Sequence, residues 1–241
     1  MKAYLEPQEI DLLEGAARCF RDRLLIRLTF RLACRISESL GIAVADIDFD
    51  RATVTITHLK KRVKRSCPAC GANLSRAHVF CPGCGRPVDR AIIEEREHRP
   101  TRNIPVDGET LRMAREYIDR GGPVVVGDKE LLFGISRGQA WRIIRDCAQR
   151  AGLPRLVNPE SGKVHNVSPH KLRDAFAVLA VKRNDSGDGL RMLQEQLGHR
   201  SIETTMRYRK VAGTELRKWY DGIWGEGHVA KKYGNETDGG G

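Results

Sequence analysis

The chain has 241 residues, of which 40% are hydrophobic and 30% charged, which suits a globular protein with one core, or with one core and a small satellite module. No apolar run reaches the ~18 residues that a membrane-spanning helix needs, and the amino terminus lacks the apolar stretch of a signal peptide, so we expect a cytoplasmic protein. The formal net charge of +11 favours a polyanionic partner: nucleic acid first, with an anionic membrane surface as the weaker alternative.

Helical periodicity dominates the first forty residues. Pro7 opens one predicted helix, and leucines at helical spacing between residues 24 and 32 share a face of a longer one. Residues 52–58 alternate strictly and are rich in β-branched side chains, so they predict a strand. Residues 102–106 predict its return strand. The segment between them would then be an insertion at a hairpin tip, where added chain costs little stability.

The second half is predicted to be mainly helical. Ser136 and Gln139 form a capping-box pattern, Ser168 and Pro169 mark another helix start, and Gly198 marks a helix end. We therefore predict an α+β fold, mainly α-helical, with a small antiparallel sheet. The predicted units are a main domain (1–224), an insertion (67–90), a final amphipathic helix (212–224) and a disordered, glycine-rich tail (225–241).

Four of the seven cysteines form two regular pairs, Cys67 with Cys70 and Cys81 with Cys84. Each pair lies in a Cys-Pro-x-Cys-Gly sequence, a tight turn that directs two sulfurs at one metal ion. In a cytoplasmic chain this spacing favours a structural zinc site of four thiolates over a redox dithiol pair. Zinc would supply most of the folding energy of so short a module. The other three cysteines are predicted to be small core residues: Cys19, Cys34 and Cys147.

Five further residues suit the covalent cleavage of a phosphodiester, which needs a nucleophile and cationic groups for the phosphate oxygens. His170 and Arg173 are three apart on a predicted helix and therefore face one side. His199 follows the glycine that ends a helix, and Tyr208 comes nine residues later. Arg35 lies in an otherwise apolar stretch. Each alone has a plain interpretation: a surface pair, a packed tyrosine, or a salt-bridged arginine.

The order and spacing of these residues favour the catalytic interpretation over the plain ones. Over nearly its whole length the sequence resembles the phage integrase and Xer-type tyrosine recombinase family. The resemblance is carried by four segments: Arg35 to Gly41, Asp46 to Asp50, His170 to Ala177, and Leu197 to Tyr208.

The resemblance implies a role for each candidate residue in cutting and rejoining duplex DNA without ATP or a catalytic metal. Tyr208 would attack the scissile phosphate and form a 3′-phosphotyrosyl bond. Arg35 and Arg173 would hold the negative charge of the transition state. His170 would act as the general base, and His199 would donate a hydrogen bond to the phosphate.

A lysine of the hairpin would protonate the leaving 5′-oxygen; Lys60 fits that role first and Lys61 second. The family works as a tetramer on two duplexes and exchanges a C-terminal helix, for which residues 212–224 are the candidate. Asp174 departs from the family, which often has a second histidine there. The helical domain that precedes the catalytic domain in the family is not in this sequence, so the chain is either a minimal enzyme or part of a longer one.

Two other functions remain open from the sequence. One is a non-enzymatic, zinc-ribbon DNA-binding protein on the same scaffold. The other is a nicking and rejoining activity like that of type IB topoisomerases. The purpose of the insertion is also open, because its basic flanks suit a DNA-binding surface and its place in the hairpin suits a structural staple.

Overall fold

The computed structural model of the protein describes residues 2–57, 62–96, 101–158, 161–209 and 222. Its helices in these ranges are α1 (Pro7–Gly15), α2 (Phe20–Arg31), α3 (Ile36–Leu40), α4 (Gly108–Asp119), α5 (Arg137–Arg150), α6 (Pro169–Arg183), α7 (Gly187–Leu197) and α8 (Ile202–Arg209). Its strands there are β1 (Ile47–Asp48), β2 (Thr53–Thr57), β3 (Arg62–Ser66), β4 (Ile92–Arg96), β5 (Thr101–Pro105), β6 (Val124–Val126), β7 (Lys129–Leu131), β8 (Leu156–Val157) and β9 (Val164–His165). The predicted mainly helical α+β fold is confirmed.

The main sheet has the strand order β1-β2-β5 and is antiparallel throughout. Val54 of β2 lies opposite Ile104 of β5, and both are buried together with Ile56, while the threonines between them are half-exposed. This alternation places one face of the sheet on the core. The prediction of a return strand is therefore confirmed. β3 and β4 pair with each other, and the cysteine segment lies between them as an insertion.

Helix α2 is the centre of the core because it is buried almost all round. Its leucines pack toward the main sheet and α4, in a cluster that also holds Phe133. Ile26 and Phe30, on another side of α2, pack with residues of α1, α5 and α6. A third cluster joins α6 to α7 and reaches α8. Helix α6 is thus fixed on several sides, which matters because it carries two of the candidate site residues.

The local helix signals of the sequence are also present. Ser136 accepts a hydrogen bond from the Gln139 backbone at 3.2 Å, and the Gln139 side chain accepts one from the Ser136 backbone at 2.8 Å, so the capping box is confirmed. Gly198 ends α7 with a φ of +62°, a left-handed conformation that glycine adopts without strain.

Some features differ from the sequence predictions. The hairpin of β6 and β7 was not predicted, because strands of three residues are too short to show an alternation of apolar and polar residues. The three valines of β6 are exposed. Cys19 is exposed at the N-cap of α2, so its assignment to the core was wrong, whereas Cys34 and Cys147 are buried. Within the described ranges no helix is both long and apolar enough to cross a bilayer. The predicted helix 212–224, apart from Gly222, and the tail 225–241 lie outside the described residues.

Candidate active site

A cleft of about 670 Å³ opens where α3, α6, α8 and the loop after α7 meet. Arg35, His170, Arg173, His199 and Tyr208 all line it, although they come from distant parts of the sequence. The structure therefore brings five of the six predicted catalytic residues together. Lys60, the sixth, and its alternative Lys61 lie outside the described residues.

Arg35 reaches the cleft through a sharp turn between α2 and α3. Ala33 turns the chain with a φ of +48°, and Arg35 then caps α3 by donating its backbone N–H to Glu38 at 3.0 Å. Its Nη1 donates to the other oxygen of the same carboxylate, also at 3.0 Å. The Arg35 side chain remains 43% exposed, whereas that of Glu38 is 1% exposed. A buried carboxylate thus orients a guanidinium that still reaches the cleft.

Arg173 is almost fully buried and braces the site. Its Nη1 donates to the carbonyl of Ala33 at 2.8 Å, and its Nη2 donates to the carbonyl of Leu197 at 2.6 Å. Burial, and next the like charge of Arg35, lower the pKa of Arg173 from its ordinary value. A guanidinium has five N–H groups, so donors remain for an anion in the cleft that Arg173 lines.

His199 follows Gly198 and presents a neutral ring. Its Nδ1 lies 3.0 Å from the hydroxyl of Thr205, which leaves Nε2 for a ligand. Burial, followed by the charges of Arg173 and Arg35, lowers the pKa of His199 to about 4. Its ring also stacks on that of Tyr208, with centroids 6.3 Å apart and planes 10° apart. His199 is therefore an uncharged hydrogen-bonding group at neutral pH.

The phenol of Tyr208 donates a hydrogen bond to Oδ1 of Asp174 at 3.0 Å. Burial and then the negative charge of Asp174 raise the pKa of Tyr208 above its ordinary value. His170, one turn before Asp174 on α6, is 74% exposed, and its Nε2 lies 3.8 Å from the same Oδ1. The hydroxyl of Tyr208 is thus held as a neutral phenol beside a carboxylate.

Sequence reasoning missed Arg102 and the part played by Asp174. Arg102 lies on β5 and donates to Glu38 at 2.8 Å and to the carbonyl of Gln196 at 3.2 Å, which links the sheet to α7. A charged residue on the return strand was the available signal, but its partners are distant in sequence. Arg137 and Trp141 of α5 also line the cleft, and neither was predicted to be a site residue.

The cysteine pairs form a separate cluster between β3 and β4. All four Sγ atoms lie within 4.8 Å of one another; Cys67 and Cys84 are 3.8 Å apart, and Cys70 and Cys81 are 3.5 Å apart. A tetrahedral four-thiolate zinc site requires S···S separations of about 3.8 Å, from Zn–S bonds of about 2.3 Å. The backbone of Cys84 and then that of Gly83 donate to the sulfur of Cys81 and lower its thiol pKa to about 6. This donor set fits a metal ion.

The cleft combines two guanidinium groups, a neutral imidazole and a phenol in one place. Guanidinium forks bind the oxygens of a phosphate, and a phenol is a nucleophile once it loses its proton. The arrangement is chemically suited to hold a phosphate group against a tyrosine.

Comparison with known proteins agrees with this description. The Phage integrase family matches residues 3–89 and 88–215, and the chain belongs to that family. A tyrosine recombinase, XerD of Neisseria meningitidis serogroup B, is 28% identical over 216 residues, which are 86% of this chain and 55% of XerD. The chain spans about half the length of the curated relatives it matches.

Solved structures share the fold. The XerA recombinase superposes with a TM-score of 0.60 at 20% identity, over 92% of this chain and 64% of XerA. The XerH site-specific recombinase, in a post-cleavage complex with its palindromic difH substrate, superposes with a TM-score of 0.59 at 20% identity, over 93% of this chain and 54% of XerH. The expected tyrosine recombinase catalytic fold is therefore confirmed.

Proposed function

We propose that this chain carries the catalytic activity of a site-specific DNA recombinase that cleaves and rejoins duplex DNA through a 3′-phosphotyrosyl intermediate. The observation that carries the proposal is the position of the Tyr208 phenol in one cleft with Arg35, Arg173 and His199. Family membership supports it, as does the structural likeness to XerH, a site-specific recombinase solved in complex with its DNA substrate. The net charge of +11 suits a DNA substrate in the cytoplasm.

The chemistry follows from what each side chain offers. Arg35 and Arg173 hold the non-bridging oxygens of the scissile phosphate, and they neutralise the charge that grows in the transition state. His199 adds a hydrogen bond without adding charge. Tyr208 attacks the phosphorus, and the leaving 5′-oxygen takes a proton from a hairpin lysine, for which Lys60 is proposed. Because the phosphotyrosyl ester keeps the energy of the broken bond, a 5′-hydroxyl can reverse the reaction without ATP.

We also propose that Cys67, Cys70, Cys81 and Cys84 hold a structural zinc ion, with no metal in the chemical step. The soft thiolate donors and their mutual distances support zinc over hard cations. When bound, the ion would fix the fold of the insertion 67–90. The domain limits 1–224 and 67–90 are part of the same proposal.

The assembly proposed for the reaction is a tetramer on two DNA duplexes. Exchanging two duplexes requires four strand cleavages, and each chain supplies one Tyr208. Light scattering with DNA carrying two sites tests this assembly. A mass of one chain per duplex at saturation would contradict it.

Covalent trapping tests the activity itself. Nicked duplex libraries, whose cleaved end diffuses away, would be incubated with the wild type, with Tyr208→Phe and with Tyr117→Phe. Tyr117 is the matched control because its hydroxyl donates to the carbonyl of Gly122, outside the cleft. We expect a denaturation-resistant adduct in the wild type and in Tyr117→Phe and none in Tyr208→Phe. DNA binding without any adduct would favour the non-enzymatic alternative, and relaxation of a supercoiled circle that lacks a second site would favour the topoisomerase-like one.

A further inference from the structure

The carboxylate of Asp174 occupies a position next to the reacting oxygen. The residue follows Arg173 on α6 and is 7% exposed, yet it lines the cleft. Its Oδ1 accepts the hydrogen bond of the Tyr208 phenol at 3.0 Å. A phenol has one proton to donate, and in this structure that proton points at Asp174.

Several charged groups surround the carboxylate of Asp174. Lys171 on the same helix places its Nζ 3.4 Å from Oδ2, while Oδ1 accepts from Tyr208 and lies 3.8 Å from Nε2 of His170. The other charged or titratable side chains that line the cleft come from the segment before α1, the turn before α3, α5, α6, the loop after α7 and α8: Tyr4, Arg35, Arg137, His170, Arg173, His199 and Arg207. The excess of cations offsets the repulsion between this carboxylate and an incoming phosphate.

We propose that Asp174 is the general base of the cleavage step and takes the proton of Tyr208 as its oxygen attacks the scissile phosphorus. This role rests on the proposed function. It also moves the role of general base away from His170, to which the family resemblance gave it. His170 is exposed to the cleft, where it can donate a hydrogen bond to the phosphate.

The cleavage step conserves both bonds and protons. The Oη–H bond of Tyr208 breaks and its proton moves to Oδ1 of Asp174, while the new P–Oη bond forms. The P–O5′ bond breaks, and the 5′-oxygen takes a proton from the proposed acid, Lys60. In rejoining, the 5′-hydroxyl attacks the phosphorus and gives its proton back to Lys60, the P–Oη bond breaks, and the proton on Asp174 returns to the phenol oxygen.

A base is needed at this place because the phenol is not ionised beforehand. Burial and the neighbouring carboxylate raise the pKa of Tyr208, so at neutral pH the free phenolate is scarce. Proton transfer during the attack avoids forming it. A residue already hydrogen-bonded to the hydroxyl needs no rearrangement to take that proton.

The variant Asp174→Asn tests the proposal because an amide keeps the shape and a hydrogen-bond acceptor but is not a base. We expect adduct formation on nicked DNA to slow roughly 10²–10⁴-fold. DNA affinity should not weaken, since a negative charge near the phosphate has been removed. The matched control is Asp11→Asn, an exposed aspartate on α1 that does not line the cleft. Circular dichroism and thermal unfolding check that both variants fold.

Two further measurements separate a base from a merely structural residue. A substrate with sulfur in place of the 5′-bridging oxygen has a leaving group that needs no acid, so it should restore a variant of the acid but not Asp174→Asn. In the absence of DNA, ¹³C NMR of tyrosine labelled at Cζ should show a lower pKa of Tyr208 in Asp174→Asn than in the wild type.

The outcomes are distinct. An adduct that forms at the wild-type rate in Asp174→Asn, rescue of that variant by the sulfur substrate, or an unchanged pKa of Tyr208 overturns the role of Asp174 alone. Absence of an adduct in the wild type on every substrate overturns the proposed function and this role with it.

Discussion

Arg102 donates a hydrogen bond at 2.8 Å to Glu38, a carboxylate that is almost fully buried. The other oxygen of Glu38 accepts a hydrogen bond from the side chain of Arg35, so the return strand of the sheet is linked through one shared carboxylate to a residue proposed to bind phosphate. Arg102 does not line the cleft described above. It is a positioning residue.

Replacing Arg102 should therefore affect both stability and rate. We expect Arg102→Met to lower the free energy of unfolding by about 1–3 kcal/mol, because buried Glu38 loses a charged partner. Adduct formation should slow while DNA affinity changes little, since Arg35 is misplaced and not lost. Urea unfolding and trapping kinetics measure the two effects. Arg51→Met is the control, because Arg51 is 85% exposed and its substitution should change stability little. Equal effects of Arg102→Met and Arg51→Met on stability and on the rate of adduct formation would contradict the positioning role of Arg102.

Two glycines with the same backbone conformation give a matched test of Gly198. Gly198 and Gly152 have φ values of +62° and +64°, but only at Gly198 would an added Cβ meet a neighbour, the Nη1 of Arg102 at 3.0 Å. Each alanine variant should lose about 1 kcal/mol of stability through backbone strain. Only Gly198→Ala should also slow adduct formation, roughly tenfold or more, because it displaces a group beside the site. If Gly152→Ala lost the same stability and also slowed adduct formation, the slower rate would reflect general destabilisation and not the position of Gly198.

The neutral state of His199 predicts a pH dependence of stability. Its pKa is about 4 in the folded protein and 6.5 in an unfolded chain, so between these values only the unfolded chain takes up the proton. The free energy of unfolding should therefore fall as the pH falls through this window, and His199 should contribute no pH dependence above it. Urea unfolding at pH 7 and pH 5 should show a smaller difference in His199→Gln than in the wild type. An NMR titration midpoint of His199 near 6.5 would contradict this prediction.

Removing one thiolate tests the metal site and the purpose of the insertion. We expect Cys67→Ser to lose bound zinc and to unfold the insertion locally, while the helical core keeps its circular dichroism. Cys19→Ser is the control, since Cys19 is an exposed thiol outside the cluster. Zinc released by a thiol reagent and DNA affinity at fixed salt are the measurements. Lower affinity would show that the insertion extends the DNA-binding surface, and unchanged affinity would show that it is a structural staple.

The fold was largely predictable because local signals agreed with the tertiary packing. The capping box at Ser136, the proline at the start of α6 and the glycine after α7 each act within a few residues. The period of two in β2 identified the main sheet. The β6 and β7 hairpin lacked such a signal, and Cys19 was misjudged because a helical pattern does not show which residue becomes the cap.

The candidate site was predictable in residue types but not in contacts. A phosphate-cleaving chemistry calls for arginines, a histidine and a tyrosine, and these were identified from the sequence as expectations. The hydrogen bond between Asp174 and Tyr208 joins two helices, and its residues are 34 apart in the chain. Arg102 and Glu38 are 64 apart. Such pairings depend on how α6, α8 and the sheet pack, which no local pattern encodes.

The two carbonyls held by Arg173 have a consequence for the newly made chain. Ala33 leaves the ribosome long before Leu197 and Tyr208, the proposed nucleophile. Until Leu197 has been synthesised, the guanidinium of Arg173 lacks one of its two carbonyl partners, and the side chains of the candidate site are not aligned. The proposed cleavage activity would therefore be absent from a partly synthesised chain. It would arise only when α6 packs against the residue that ends α7.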